Sequence, residues 1–343
     1  VNIAVSWSLL PRLLMAWLLV AACPVSMAAG LAQLSGESMG TRWSVNAVLP
    51  VGVTRSQAQS AVQTALDQVV AHMSTWEAES DISKLNRAPA GWQAIPKPFF
   101  SVLDYALRLA QETHGAYDPT IGPLVDAWGF GAEKRPHQPP SSAELTEARA
   151  LVGWRRLRLD ADTLRVHKQA GTRVDLSSVA KGFGVDQAAR ALDTLGIHDY
   201  LVEVGGELRG RGQRPDGQPW HVAIEQPGSG LEPAVAAVIS LNNLSVATSG
   251  DYRRFFRKGA KRYAHIIDPR TGYPLEHALV SVTVVHPDCM QADALSTALT
   301  VLGPDQGMNY ARQHKLAALF MISTANGLEP YMTPEFKALS ESR

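Results

Sequence analysis

The chain has 343 residues, 45% hydrophobic and 19% charged, which is enough apolar material for one large domain or two small ones. Lys plus Arg and Asp plus Glu both number 32, so the formal net charge is zero and the basic footprint that nucleic-acid binding needs is missing. The short run Arg253, Arg254, Arg257 and Lys258 reads as a solvated face.

In chain order, Arg12 precedes an apolar stretch, 13–22, too short to span a bilayer and suited to the core of a signal peptide. Residues 1–28 are therefore expected to be a leader. Cleavage falls either before Cys23, which would then carry a lipid at the inner-membrane surface, or after Ala28 at Ser26-Met27-Ala28. Both ends imply a periplasmic domain over 31–343. With Cys23 lipidated or removed, Cys289 has no partner and is expected to be a small buried hydrophobe.

Residues 43–49 alternate as a strand, and 56–73 carry apolar residues at helical spacing. A polar loop is expected over 74–86. Pro96 and Pro98 suit the start of a helix with the apolar face Phe99, Leu103, Ala106, Leu107 and Ala110. Residues 115–130 read as an ordered loop, 131–142 as an exposed excursion and 143–151 as a short helix. The runs 155–159 and 164–168 flank Asp160-Ala161-Asp162 as a hairpin, and 173–176 reads as a short strand feeding a helix that ends at Leu195 with Gly196 as its cap. Further strands are expected at 200–204, 220–225, 236–241, 262–266, 280–285 and 316–322, and helices at 292–302 and 305–313. Without strict alternation of strand and helix, the order favours a mixed α/β (α+β) fold over a doubly wound sheet.

Phosphate-loop, H-E-x-x-H, C-x-x-C and G-x-S-x-G motifs are absent, and the glycines of 205–212 lack dinucleotide-binding spacing. On a helix, Asp293 and Thr297 share one face and offer hard oxygens to Mg²⁺. An Asp favoured by the helix dipole, beside a Thr bonded to the backbone, gives the same pattern. The segment Asp175-Leu176-Ser177-Ser178-Val179-Ala180-Lys181-Gly182 leads into a helix start, where phosphate is readily held, although Asp175 or Ser177 could simply cap the helix. Gly205-Gly206 and Thr248-Ser249-Gly250-Asp251 read as sharp turns at strand ends. His265, before Asp268-Pro269-Arg270-Thr271-Gly272, is in place for a general base, although a single His is more often structural, and Trp76 and Tyr117 are loop aromatics able to meet a flat ring or to anchor their loops.

Together these segments resemble the FAD:protein FMN transferase (ApbE) family. The matching blocks run in order: MGTRWSV from Met39, STWEAESDISKLN from Ser74, GAYDPTIGPLVDAWGF from Gly115, DLSSVAKGFGVD from Asp175, YLVEVGGELRGRG from Tyr200, SVATSGDYRRFF from Ser245, YAHIIDPRTGYP from Tyr263 and ADALSTALTVLG from Ala292. The resemblance implies one compact domain with T-fold-like halves. It implies that Met39, Trp76, Ala116, Tyr117, Asp118 and Ile266 surround FAD, with Asp175 and Lys181 near its ribityl and phosphate portion. Asp293 and Thr297 then look like Mg²⁺ ligands, joined by Ser178 through its carbonyl. His265 is the candidate for activating the acceptor hydroxyl, and Asp268 a weaker alternative or an orienting partner. The implied reaction transfers FMN from FAD to a Ser or Thr of an exported or membrane-bound flavoprotein subunit, releasing AMP. Hydrolysis of FAD to FMN and AMP, or non-catalytic periplasmic flavin binding, are the alternatives.

Overall fold

The structure is a computed structural model that describes residues 30–132, 135–228, 234–251 and 254–341. The expected leader, with Cys23, and Arg253 of the basic run lie outside them.

Leu31–Ser38 (β1) and Thr41–Val48 (β2) form a hairpin whose turn residues, Met39 and Gly40, have φ of 53° and 71°. Positive φ at both positions matches the twist of the flanking strands. Arg55–Met73 (α1) opens with a capping box between Thr54 and Gln57 and buries Ala58, Val62, Leu66, Val69 and Met73. The expected polar loop after it contains a helix, Asp81–Arg87 (α2), capped by Ser80 and burying Ile82 and Leu85. Gly91–Ala94 (β3) precedes Lys97–Glu112 (α3), which has Pro98 in its first turn as expected. The expected loop at 115–130 also holds a short helix, Gly122–Ala127 (α4). Both helices are too short for an apolar period to declare itself.

Ser142–Ala150 (α5) and the hairpin Leu157–Asp160 (β4) with Arg165–Lys168 (β5) follow the expected order, and β3 joins them in a small sheet. Residues 173–176 are not a strand. Val174 exchanges hydrogen bonds with the Asn86 side chain at 2.7 and 2.8 Å, and Asp175 N–H donates to the Pro119 carbonyl at 2.8 Å. These partners satisfy backbone groups that a ladder would otherwise hold. Ala180–Thr194 (α6) ends at Gly196, φ 75°, where Ile197 N–H reaches back to the Leu192 carbonyl.

Tyr200–Val204 (β6) and Glu207–Arg211 (β7) are joined by the tight turn Gly205-Gly206. Trp220–Gln226 (β8) pairs with Ala234–Leu241 (β9). Leu244–Gly250 (β10) takes in Thr248, Ser249 and Gly250, which were expected to form a turn. Phe255–Lys258 (β11) and Lys261–Ala264 (β12) form a separate ribbon. Leu279–His286 (β13) is followed by Cys289–Gln313 (α7), which is broken at Gly303, φ 79°, just before Pro304. This break produces the two expected helices. Ala317–Thr324 (β14), Gly327–Met332 (β15) and Pro334–Glu341 (α8) complete the chain.

The main sheet has the order β1-β2-β6-β7-β10-β13-β14-β15, with every neighbouring pair antiparallel. It divides naturally where β7 meets β10. Over the first half, α1 and α6 bury Leu66, Val185 and Leu192 against Trp43, Val45 and Val202. Over the second, α7 presses Ala294, Ala298 and Leu299 into a core with Val282 and Val284. On the opposite face, Trp220 of β8, Ile239 of β9 and Phe336 of α8 cover Val246, Val285 and Leu319. The mixed architecture agrees with the expected fold class. It brings the starts of α6 and α7 together above the junction of the two halves.

Candidate active site

Two glycines set the geometry where α6 begins. A Cβ at Gly182 would stand 2.3 Å from the Cys289 carbonyl oxygen and 2.8 Å from Asp293 Cβ, and one at Gly184 would stand 2.8 Å from Met39 Sδ. Only glycine permits so close an approach. As a result Gly182 N–H donates to Asp293 Oδ2 at 2.9 Å and fixes a buried carboxylate on the inner face of α7. Beside it, Lys181 Nζ lies 2.5 Å from Glu207 Oε1. Glu207 is 3% exposed, and its Oε2 has no hydrogen-bond partner among the described residues.

Burial is the main force raising both carboxylates above their ordinary range. At Asp293 the charge of Lys181 and the Gly182 N–H oppose the rise; at Glu207 the charge of Asp293 adds to it and Lys181 opposes it. Burial pulls Lys181 down, but Glu207 and Asp293 together hold it above its ordinary value, so it stays an ammonium.

One turn beyond Asp293, Thr297 Oγ1 shares a 2.8 Å hydrogen bond with Ser249 Oγ, which also lies 2.8 Å from Ser296 Oγ. The strand β10 thereby supplies a hydroxyl that holds the expected ligand face of α7. Ser178 Oγ donates to Tyr117 Oη at 3.0 Å, which leaves its carbonyl as the group available to a cation. Among the described residues no three His, Cys, Asp or Glu side chains converge as a metal cage. The donor set still fits Mg²⁺. Asp293, Thr297 Oγ1 and the Ser178 carbonyl offer hard oxygens, and this ion favours one or two carboxylates with phosphate and water completing its shell.

The expected flavin residues divide into groups. Tyr117 is buried, and burial holds its hydroxyl far above the ordinary range, so it is a neutral phenol beside Ser178. Ala116 and Ile266 pack with Val301 in a small cluster. Asp175 accepts from Ser177 N–H at 2.8 Å and so shapes the turn before α6. Asp118 is occupied within its loop: Oδ1 accepts from Thr120 N–H and Oγ1, and Oδ2 from Trp154 N–H. Trp76 stands apart, 61% exposed just beyond α1.

His265 follows β12 and sits half-buried, with its Nδ1 3.1 Å from the Arg254 carbonyl oxygen. A carbonyl can only accept, so Nδ1 carries the proton and Nε2 keeps its lone pair. Burial, then the charge of Arg254, pushes His265 down to about 4, and the charge of Lys181 adds to the effect. At neutral pH it is an unprotonated imidazole. Asp268 is gripped by Arg270, Nε to Oδ1 at 2.9 Å and the guanidinium NH₂ to Oδ2 at 2.8 Å, and its backbone carbonyl accepts from Gly272 N–H. Its geometry suits orienting the loop after His265 rather than accepting a proton.

Sequence reasoning missed Glu207 and Ser249. The pairing of Val204 with Glu207 across the Gly205-Gly206 turn turns that charge inward, and a charge following an apolar strand and a glycine turn was the available signal. Arg254 was assigned to a solvated face, yet its guanidinium donates to the Phe130 carbonyl at 2.6 Å and its own carbonyl holds His265.

A model of the ApbE family matches residues 39–320. The chain is similar to the FAD:protein FMN transferase of Haemophilus influenzae, 42% identical across 90% of this chain and 92% of the relative. It is 40% identical to the FAD:protein FMN transferase of Vibrio cholerae, across 89% of this chain and 91% of the relative. In structure it is similar to the flavin transferase ApbE from Vibrio cholerae, with a TM-score of 0.85 and 37% identity over 91% of this chain and 99% of the other. The apo form of the Pseudomonas stutzeri flavinyl transferase ApbE gives a TM-score of 0.84 and 35% identity over 92% of this chain and 98% of the other.

Proposed function

The chain belongs to the ApbE family and is a transferase, and from that premise we propose that it uses Mg²⁺ and FAD to attach FMN to a Ser or Thr of an exported flavoprotein subunit, releasing AMP. The observation that carries this reading is the Gly182 contact, which sets the Asp293 carboxylate beside the Lys181–Glu207 pair, one turn from Thr297.

Asp293, Thr297 and the Ser178 carbonyl would hold the Mg²⁺, which when bound supplies positive charge to pyrophosphate oxygens. Lys181 brings a second positive charge to the same oxygens, and Glu207 keeps that ammonium in place. His265 Nε2 takes the proton of the acceptor hydroxyl as its oxygen bonds to the FMN phosphorus and the phosphorus–oxygen bond to AMP breaks. Asp268 and Arg270 hold the turn that follows His265. The buried Tyr117, with Met39, Ala116 and Ile266, offers the apolar surface a flavin needs. Export to the periplasm belongs to the same proposal, with Cys23 lipidated at the inner membrane or lost by cleavage after Ala28; the apolar stretch behind Arg12 supports it.

The test is to incubate the protein with FAD, Mg²⁺ and an exported flavoprotein subunit and to weigh that subunit. Transfer adds one FMN to a Ser or Thr and releases one AMP. Free FMN beside an unmodified subunit would instead make the chain an FAD pyrophosphatase.

A further inference from the structure

The β11–β12 ribbon has two unlike faces. Phe256 lies opposite Tyr263 and stacks on it at 5.1 Å, and this face packs against Phe130 and Trp128. On the other face Arg257 lies opposite Arg262, and their guanidinium groups stand 5.7 and 4.5 Å from the ring centre of the exposed Phe255. Arg262 pairs with Asp251 at 3.1 Å, whereas Arg257 has no carboxylate partner among the described residues. Both arginines line a cavity of about 470 Å³ with Asp251, His277 and Ser323. Asp251 Oδ1 and His277 Nδ1 are buried without hydrogen-bond partners among the described residues.

This surface combines a surplus positive charge, an exposed aromatic ring, unmatched acceptor atoms that incoming N–H or O–H groups can meet, and room for more than one side chain. Among the described residues no third strand joins the ribbon, so its outer backbone edges are free to pair with an extended segment. The ribbon is also continuous with the chemistry. Arg254, whose carbonyl holds the His265 ring, directly precedes β11, and His265 directly follows β12.

Resting on the reading of the chain as a protein-modifying transferase, we propose that this face docks the acceptor polypeptide. Carboxylate side chains near the accepting Ser or Thr enter the cavity to meet Arg257 and Arg262, and the acceptor backbone runs along a free edge of the ribbon. Opposite charge at such a rim speeds encounter and fixes register.

The experiment measures acceptor KM, kcat and FAD affinity for the wild type, Arg257→Glu and Arg257→Ala. Arg257→Glu is expected to raise the acceptor KM about tenfold, with Arg257→Ala between, while kcat at saturating acceptor and FAD affinity hold. Added salt should move the wild-type KM towards that of the variants. An acceptor whose acidic residues near the modified hydroxyl are changed to Lys should be poor for the wild type and better for Arg257→Glu. An unchanged acceptor KM in both variants, with the wild type transferring normally, overturns the docking surface. A parallel loss of FAD affinity also overturns it and reassigns the cavity to the nucleotide. A wild-type protein that modifies no acceptor is a separate result, and it removes the transferase reading together with the docking surface.

Discussion

The junction of α6 with α7 and the ribbon of β11 with β12 are built on opposite principles. At the junction, backbone meets backbone through Gly182, and charges are buried against one another: Lys181 with Glu207, and Asp293 on an N–H. At the ribbon, only one face is packed, and its charges stand over an exposed ring and an open cavity. The first arrangement suits a charge that must not move during phosphoryl transfer; the second suits partners that come and go. His265 stands between them, attached to the ribbon yet within the field of Lys181.

Removing the fixed charge should give the largest effect. Asp293→Ala is expected to lower FMN transfer by about 10³-fold, read from acceptor mass against time, while the thermal melt keeps its cooperativity. Normal transfer in that variant would break the contrast outright, because the buried junction would then have no part in the reaction. His265→Ala should slow transfer by about 10²-fold with FAD affinity kept. The shift gives this residue a signature. Its folded value lies below the ordinary one, so the imidazole is unprotonated and competent throughout the neutral range, and its own contribution to the profile should be an acid limb as pH drops through about 4. If His265 is the base, the variant loses that acid limb; an identical profile would move the base elsewhere. The smallest effect belongs to the exposed ring beyond α1. Trp76→Ala should raise the KM for FAD about fivefold with kcat unchanged, the scale of one aromatic contact. A loss as large as that of Asp293→Ala would mean that an exposed residue governs the chemistry and would erase the distinction.

What could be read from the sequence follows the same division. The helices α1, α6 and α7 announce themselves because each buries a long apolar face, as with Val62, Leu66 and Val69. The Gly205-Gly206 turn was legible because two adjacent glycines end an apolar strand. By contrast, β7 buries Glu207 where a pattern of alternation demands an apolar residue, so its strand character was hidden by the charge that matters to the site. In β1 only Ala32 and Leu34 turn fully inward, and Gly36 leaves room for the Trp43 indole, which no local pattern reports. The short strand expected at 173–176 failed because Asn86, distant in sequence, satisfies its backbone. Asp293 and Thr297 were visible as a helical pair, but the contact that orients Asp293 comes from Gly182 on another helix. Residues were legible; their partners were not.

The order of strands in the main sheet bears on how the molecule is made. In the second half, β13, β14 and β15 are joined through α7 and a tight hairpin, so their pairings close over short distances along the chain. In the first half β2 pairs with β6, Ala47 with Tyr200, after six helices and a second small sheet have intervened. A chain emerging from its amino end therefore carries the apolar edge of β2 with no neighbour until much of the sequence has followed. Closing that long loop is the slow kind of event in folding, and an unpaired edge invites association with other chains. The hairpin bearing Met39 is thus among the first segments made and among the last secured, and Met39 itself comes to rest on Gly184 only when α6 is in place.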